Sequence, residues 1–335
     1  MKYPAICFIL LAVLLFQGCF EEDMKLDPYV SPYTVVELDE SIYTHQIYVD
    51  LETGRVVSMN PNTDWVLAFE CSAEGTQVRV NSSDLWEMSA TGLTDFNAVD
   101  WNGTFIWSAD RSDGDPDSTV TANWVQSSES GNAYSNEVYM LGKYDGIGYP
   151  DKMKLQLLYV DSVMYRFAME FPEAAQPDTF VVWKDTSYNY VQFSPETGTT
   201  LRLEPPKDQW DLLFSQYHSI LFTDDSVATP YYVRGTLLNP YHVLACLDTI
   251  NSFDDIDYSI ASGQPFSEQQ DIIGHDWKSV SVDEGTNSAV YTVREGYTYL
   301  VKDSNEKIYK LRFISFLGST GVKGYPSFEV AELEE

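Results

Sequence analysis

Val49-Asp50-Leu51-Glu52-Thr53-Gly54, followed by Asp64-Trp65-Val66-Leu67-Ala68-Phe69, recurs as Phe193-Ser194-Pro195-Glu196-Thr197-Gly198 followed by Gln209-Trp210-Asp211-Leu212-Leu213-Phe214. Both passages carry a Glu-Thr-Gly turn and then a Trp and a Phe four residues apart, which on a strand share one face and read as core. Each half continues with an Asp-Trp pair (Asp100-Trp101, Asp276-Trp277), a tyrosine-rich stretch and a closing Lys-Leu strand (Lys154 to Leu157, Lys310 to Phe313). Working outward, Gln46-Ile47-Tyr48-Val49-Asp50 and Thr76-Gln77-Val78-Arg79-Val80 alternate with the two-residue period of half-buried strands, punctuated by Gly, Pro, Asn and Asp. No stretch of a dozen residues keeps a helical period with a cap at each end. The expected fold is all-β, two tandem antiparallel β domains over residues 35–175 and 176–335 with little helix.

Composition narrows the function. The chain has 335 residues, with 51 Asp and Glu against 20 Lys and Arg and a formal charge of −31, which repels a phosphate backbone and excludes a nucleic-acid partner. Hydrophobic residues make up 44% and aromatics 14%, enough to offset chain entropy by burial, so the chain is expected to fold despite its charge. Four cysteines without a Cys-x-x-Cys pair supply neither a disulfide scaffold nor a structural zinc site. Cys71 and Cys246 read as two buried thiols.

The N-terminus gives an address. Met1-Lys2 precedes an apolar run from Pro4 to Phe16 and then Gln17-Gly18-Cys19, a secretory signal of lipoprotein type over residues 1–18 with Cys19 as the lipidated residue. The run is shorter than the roughly 18–20 residues that span a bilayer. Acyl chains on Cys19 are therefore expected to hold the protein to the lipid bilayer. Glu21-Glu22-Asp23 resembles the acidic tag of Bacteroidetes lipoproteins carried to the cell surface, and polar residues 19–34 with Pro28 and Pro32 read as a tether. The expected location is the outer membrane, exposed at the cell surface.

Motifs for catalysis are missing. There is no Gly-x-Ser-x-Gly elbow, no His-Glu-x-x-His and no phosphate-cradling glycine loop, so the protein is not expected to be an enzyme. Asp113-Gly114-Asp115-Pro116-Asp117 alternates carboxylates as calcium loops do, which makes Asp113, Asp115 and Asp117 a candidate calcium site.

Gln209 to Phe214 with Tyr217, Tyr232-Val233-Arg234-Gly235-Thr236-Leu237-Leu238-Asn239, Tyr309 to Phe313 and Gly324-Tyr325-Pro326-Ser327-Phe328 resemble, in order and spacing, the HmuY family of Bacteroidetes lipoproteins. The first half resembles it through Asp64-Trp65 and Asn81-Ser82-Ser83. The resemblance implies two HmuY-like repeats, outer-membrane attachment, haem as cofactor and delivery to a TonB-dependent outer-membrane receptor. In haem-binding members an axial ligand follows the tryptophan that matches Trp277. Here Ser279-Val280-Ser281-Val282-Asp283-Glu284 offers none. The axial candidates are then His242 and His275, which sit by turn signals, with His218 next; Arg234 and Lys278 are the candidates for the haem propionates. Two functions follow: haem binding for iron or haem acquisition, or a non-haem module that holds a peptide, a glycan or a partner protein on the same fold.

Overall fold

A computed structural model describes residues 31–128, 131–222, 228–283, 285 and 287–335. The signal at 1–18, Cys19 and all but the end of the tether lie outside the described residues. The first half contributes β1 (Thr34–Glu37), β2 (His45–Asp50), β3 (Arg55–Pro61), β4 (Leu67–Glu70), β5 (Val78–Val80) and β6 (Trp86–Ala90). It continues with β7 (Val125–Ser128), β8 (Gly131–Tyr134), β9 (Val138–Lys143), β10 (Asp151–Val160) and β11 (Met164–Glu170). The second half contributes β12 (Asp178–Trp183), β13 (Tyr190–Ser194), β14 (Thr199–Leu201), β15 (Leu212–Phe222), β16 (Ala228–Leu238) and β17 (Leu244–Asp248). It ends with β18 (Lys278–Asp283), β19 (Ser288–Val293), β20 (Thr298–Lys302), β21 (Ile308–Leu317) and β22 (Lys323–Leu333). Helix among the described residues is confined to α1 (Tyr258–Ala261) and short 3-10 turns, so the fold is all-β as the alternation predicts.

The sheet orders repeat. One five-stranded sheet runs β12-β11-β10-β9-β6 and another β1-β22-β21-β20-β17; one four-stranded sheet runs β14-β13-β4-β5 and another β16-β15-β2-β3; the hairpins β7-β8 and β18-β19 complete the set. The strand eleven places further along the chain holds the same position in each matching sheet. In both sets the opening strands of one half pair with strands of the other. β2 lies against β15 through Leu212↔Val49 and Phe214↔Ile47, and β13 lies against β4 through Val191↔Phe69 and Phe193↔Leu67. β1 likewise closes on β22, and β12 on β11.

The cores follow this pairing. One cluster joins Val36, Ile42, Ile47 and Leu51 to residues from Leu212 to Val330. The other runs from Val66 to Phe193. Both of these clusters therefore take residues from both sides of position 175, while two smaller ones, around Phe96 and around Cys246, each stay on one side.

Matching hydrogen bonds hold the crossing points. Asn81 and Asn239, both fully buried, each send a side-chain amide to two carbonyls: Asn81 Nδ2 to Asn62 O and Trp65 O at 2.8 Å each, Asn239 Nδ2 to Lys207 O at 2.8 Å and Trp210 O at 2.6 Å. Their backbone N–H groups donate to Val66 O and Asp211 O, the residues that follow those tryptophans. Gly54 and Gly198 turn the two exchanged hairpins at φ +61° and +65°, a conformation glycine adopts without a Cβ penalty. Lys154 and Lys310 explain the Lys-Leu strands. Each is buried and donates to a carbonyl of a 3-10 turn, Lys154 Nζ to Phe96 O and Lys310 Nζ to Phe253 O, both at 2.8 Å. Trp277 directly precedes β18 as Trp124 precedes β7, so its counterpart is Trp124; Trp101, paired with it on sequence, instead packs its ring 4.3 Å from Lys154 Nζ. Cys71 and Cys246 are buried free thiols.

Two outcomes are expected. Asn239→Ala strands two buried carbonyls and should cost about 2–4 kcal/mol in urea unfolding, since each unpaired buried group costs about 1–3 kcal/mol; a loss below 1 kcal/mol would remove the amide from the role assigned to it. Residues 33–175 and 176–335 expressed separately should each lack cooperative thermal unfolding, and co-expressed they should copurify as one complex.

Candidate ligand-binding site

The face of β15 and β16 collects the chemistry. Their register sets His218 opposite Tyr232 and Gln216 opposite Arg234. Directly opposed residues share a face, and so do alternate residues along a strand, so these four side chains lie on one surface.

His218 is 6% exposed, its ring 5.6 Å from that of Tyr232, and its Nδ1 has no hydrogen-bond partner among the described residues. Burial lowers its pKa, opposed by the charge of Glu87, so the imidazole is held neutral. Glu87 accepts from Tyr232 Oη at 2.7 Å and from Tyr149 Oη. Desolvation and this carboxylate together hold both phenols protonated.

Arg234 and Lys278 come together. Lys278 Nζ donates to Arg234 O at 2.6 Å and to His275 O at 3.4 Å, and lies 4.2 Å from the Trp277 ring centroid and 4.7 Å from that of Phe316. Arg234 donates from Nη1 to Tyr232 O at 2.8 Å, places Cζ 4.3 Å from the centre of the Tyr43 ring, and leaves Nε without a partner. Lys323 Nζ joins them, 5.3 Å from the same ring, and the hydroxyls of Tyr43 and Tyr291 meet at 3.3 Å. Among the described residues no carboxylate forms an ion pair with any of these three cations. Burial lowers the pKa of Arg234 and pushes that of Lys278 down to about 7, against the attraction of exposed Asp276. Buried charges without a counterion are costly, so this arrangement is receptive to an anion.

Tyr43, Tyr291 and Lys323 were not legible as site residues. The sequence does hold one signal, Gly324 in Gly324-Tyr325-Pro326: at φ +94° a Cβ there would stand 2.5 Å from Tyr43 Cδ2, so only glycine lets the ring seat.

The histidines at turns are not brought together. The segment leading to His275 runs along β16 through the bridge Thr236↔Gly274, which directs His275 toward Arg234. His242 lies past the C-terminal end of β16, exposed, at φ +59° and with its ring 4.5 Å from that of Tyr241. His275 is half-buried, 3.5 Å from Asp276, and its pKa is lowered chiefly by burial. His45 contacts Thr44 and Glu40.

The calcium expectation is corrected. Asp113 accepts from Asp115 N at 3.0 Å and pairs with Arg111 at 3.2 Å, and Asp115 accepts from Asp117 N at 2.9 Å. The carboxylates cap their own turn instead of converging, and no group of three or more His, Cys, Asp or Glu among the described residues could hold a metal ion.

The cavity that His218 lines measures about 130 Å³, whereas a drug-sized or larger ligand occupies a pocket of roughly 300–1,000 Å³. Two further cavities, of about 400 and 390 Å³, are lined without His, Met or Cys. Along the strand, Arg234 stands about 7 Å from the position facing His218.

Fold and site define an all-β scaffold with a neutral histidine and Arg234 on one strand face and Lys278 and Lys323 beside Arg234. The chain belongs to the HmuY family, whose model, described as HmuY protein, matches residues 42–330. Among solved structures it is similar to apo PinO of Porphyromonas gingivitis, at 12% identity and TM-score 0.25, covering 91% of this chain and 99% of that one. It is also similar to the apo HmuY analogue TFO of Tannerella forsythia, at 10% identity and TM-score 0.24, covering 92% and 100%. A candidate HmuY-like haem-binding protein of Bacteroides vulgatus matches at 17% identity and TM-score 0.20, covering 43% and 85%. No curated protein matches the sequence. No helix among the described residues is long and apolar enough to cross a membrane.

The buried lysine makes stability depend on pH in a defined direction. A lysine titrates near 10.4 when unfolded. Between pH 7 and 10 the unfolded chain therefore binds a proton that the folded chain does not, and this group's contribution makes stability rise with pH through that window. Lys278→Met should raise Tm at pH 6 by the equivalent of about 1–4 kcal/mol, with a gain that shrinks toward pH 10. Melts of both proteins at pH 6 and 9 check this, and an equal loss of Tm at both values would show that the ammonium is compensated.

Proposed function

We propose that this chain is a lipid-anchored, extracytoplasmic ligand-binding protein of haem-binding type, and that haem is its ligand. The observation that carries the reading is a neutral, buried His218 with an unpartnered nitrogen on the same strand face as Arg234, whose carbonyl accepts from Lys278 of β18, two cations with no carboxylate of their own among the described residues. Haem iron takes an imidazole ligand, and haem carboxylates take cations. His218 accordingly replaces the pair His242 and His275 as the axial candidate, and Arg234 and Lys278 remain the propionate candidates.

Cys19 supplies the membrane anchor through acyl chains, and the acidic Glu21-Glu22-Asp23 supports display at the cell surface. A TonB-dependent receptor in the same outer membrane is the partner to which such a protein would hand haem.

The cations and rings favour a second reading. An anionic ligand smaller than haem, such as an acidic peptide or glycan, would meet Arg234, Lys323 and the Tyr43 and Tyr291 rings without needing a porphyrin slot.

Hemin titration of the chain beginning at Phe20 separates them. A saturable, sharpened Soret band is expected, lost in His218→Ala, weakened in Arg234→Gln, and kept when His242 and His275 are both alanine. A broad, non-saturating spectrum would overturn haem in favour of the second reading. Loss only in the double alanine variant would return the iron to His242 and His275.

A further inference from the structure

A second set of unpartnered donors lies where the two exchanged hairpins meet, in the cavity that His218 and its β15–β16 neighbours also line. The cavity of about 130 Å³ is lined by β2, β4, β13 and the residues around them, with Gln46, Trp65, Arg79, Tyr190, Glu204 and Trp210 in its wall. Its volume corresponds to about four water molecules at roughly 30 Å³ each.

The matching halves do not match here. Trp65 Nε1 donates to Gln46 Oε1 at 2.8 Å. Gln46 stands three residues before Val49, and in the second passage the residue three before Phe193 is Tyr190. Tyr190 cannot serve Trp210 in the same way, because its hydroxyl is committed to Gln77 Oε1 at 2.6 Å. Trp210 Nε1 is consequently sealed from solvent with no acceptor among the described residues. Arg79 is in the same condition: Nε donates to the same Gln77 Oε1 at 3.2 Å, Cζ lies 5.4 Å from the Tyr190 ring centre, and Nη2 has no partner.

Neither nearby acid closes the gap. Asp110 spends its two oxygens on Val80 N at 2.8 Å and Val120 N at 2.9 Å. Glu204 accepts from the backbone of Asn189 and Tyr190 through one oxygen. Desolvation raises the pKa of Asp110 and pushes that of Glu204 up to about 8, so at neutral pH Glu204 carries a proton and adds no charge.

Two unpartnered N–H donors, one of them cationic, in a wall of this size call for a small acceptor with negative charge. We propose that this cavity binds a small carboxylate of about acetate's size, held by Arg79 Nη2 and Trp210 Nε1. Arg79 and Trp210 are distinct from the haem candidates His218, Arg234 and Lys278, of which His218 lines the same cavity.

The test is a titration of the chain from Phe20 with carboxyl-¹³C acetate, followed at the acetate carbon and at the ¹⁵N–¹H indole signal of Trp210. Saturable binding, a downfield indole shift and a Tm that rises with acetate concentration are expected. Arg79→Gln and Trp210→Phe should each weaken binding at least tenfold. Hemin binding should be unaffected in both, so failure of this site and failure of the haem reading are distinguishable. If Trp210→Phe does not fold, Arg79→Gln decides alone. Absence of saturable binding by acetate and formate, or affinity unchanged by Arg79→Gln, would overturn the proposal and leave the cavity to water.

Discussion

The exchange of opening hairpins between the two halves is the constraint on which the rest of the structure depends. A strand pair fixes two things at once, its backbone ladder and the face its side chains bury. Because β2 completes the sheet of β15, and β13 that of β4, neither half can bury its own Trp-to-Phe strand without the other. The crossing requires the chain to leave one sheet and enter another while keeping every carbonyl paired. Asn81 and Asn239 do this with one side chain each, satisfying two carbonyls that the crossing would otherwise strand in the core. Both halves therefore belong to one unit, and the surfaces where they meet cannot separate without exposing core.

The second constraint is electrostatic. In a chain with 51 acidic residues against 20 basic ones, a surface cation finds a carboxylate easily. Lys143, Lys307 and Arg312 all do so. Arg234 and Lys278 lie instead among aromatic rings and backbone carbonyls, where cation–π contacts offset only part of the desolvation. The acidic exterior then acts as a filter, since an anion must be matched closely by this face to overcome the repulsion around it.

The sequence makes some of this legible, for identifiable reasons. The two-residue period and the Glu-Thr-Gly turns locate β2, β3, β13 and β14, because a half-buried strand must alternate and a turn at φ near +60° favours glycine. Period, however, says which face a residue takes and not which strand lies beside it. The exchange was therefore invisible, and a boundary near 175 looked like a boundary of packing. Trp277 was matched to Trp101 by its preceding Asp, whereas its place before β18 matches Trp124, which follows Asn123. Turn signals drew attention to His242 and His275, yet a turn exposes a side chain without giving it a partner. His218 lay within a plain strand, and what distinguishes it is the residue facing it across the ladder. Arg234 and Lys278 are legible as cations near the candidate histidines in sequence, while Tyr43 comes from a stretch almost three hundred residues away from its neighbour Lys323 in the chain.

Where the halves agree, the agreement explains stability: the paired asparagines, the paired lysines and the paired glycine turns each solve a backbone problem once and reuse the solution. Where they differ, a solved problem has been left open on one side. The residue after Trp124 is Val125, but after Trp277 it is Lys278, which places a cation where the other half keeps an apolar side chain. Gln46 closes the hydrogen bond of Trp65, but Tyr190 leaves Trp210 unpaired. Each departure costs stability, Lys278 as a buried cation without a counterion and Trp210 as a buried N–H without an acceptor. Such a cost is tolerable when the surrounding fold is over-determined, as it is here by two interlocked cores. The same duplication that makes the fold rigid thus frees one half to hold unsatisfied chemistry, and a ligand that satisfies it gains binding energy from atoms already fixed in place.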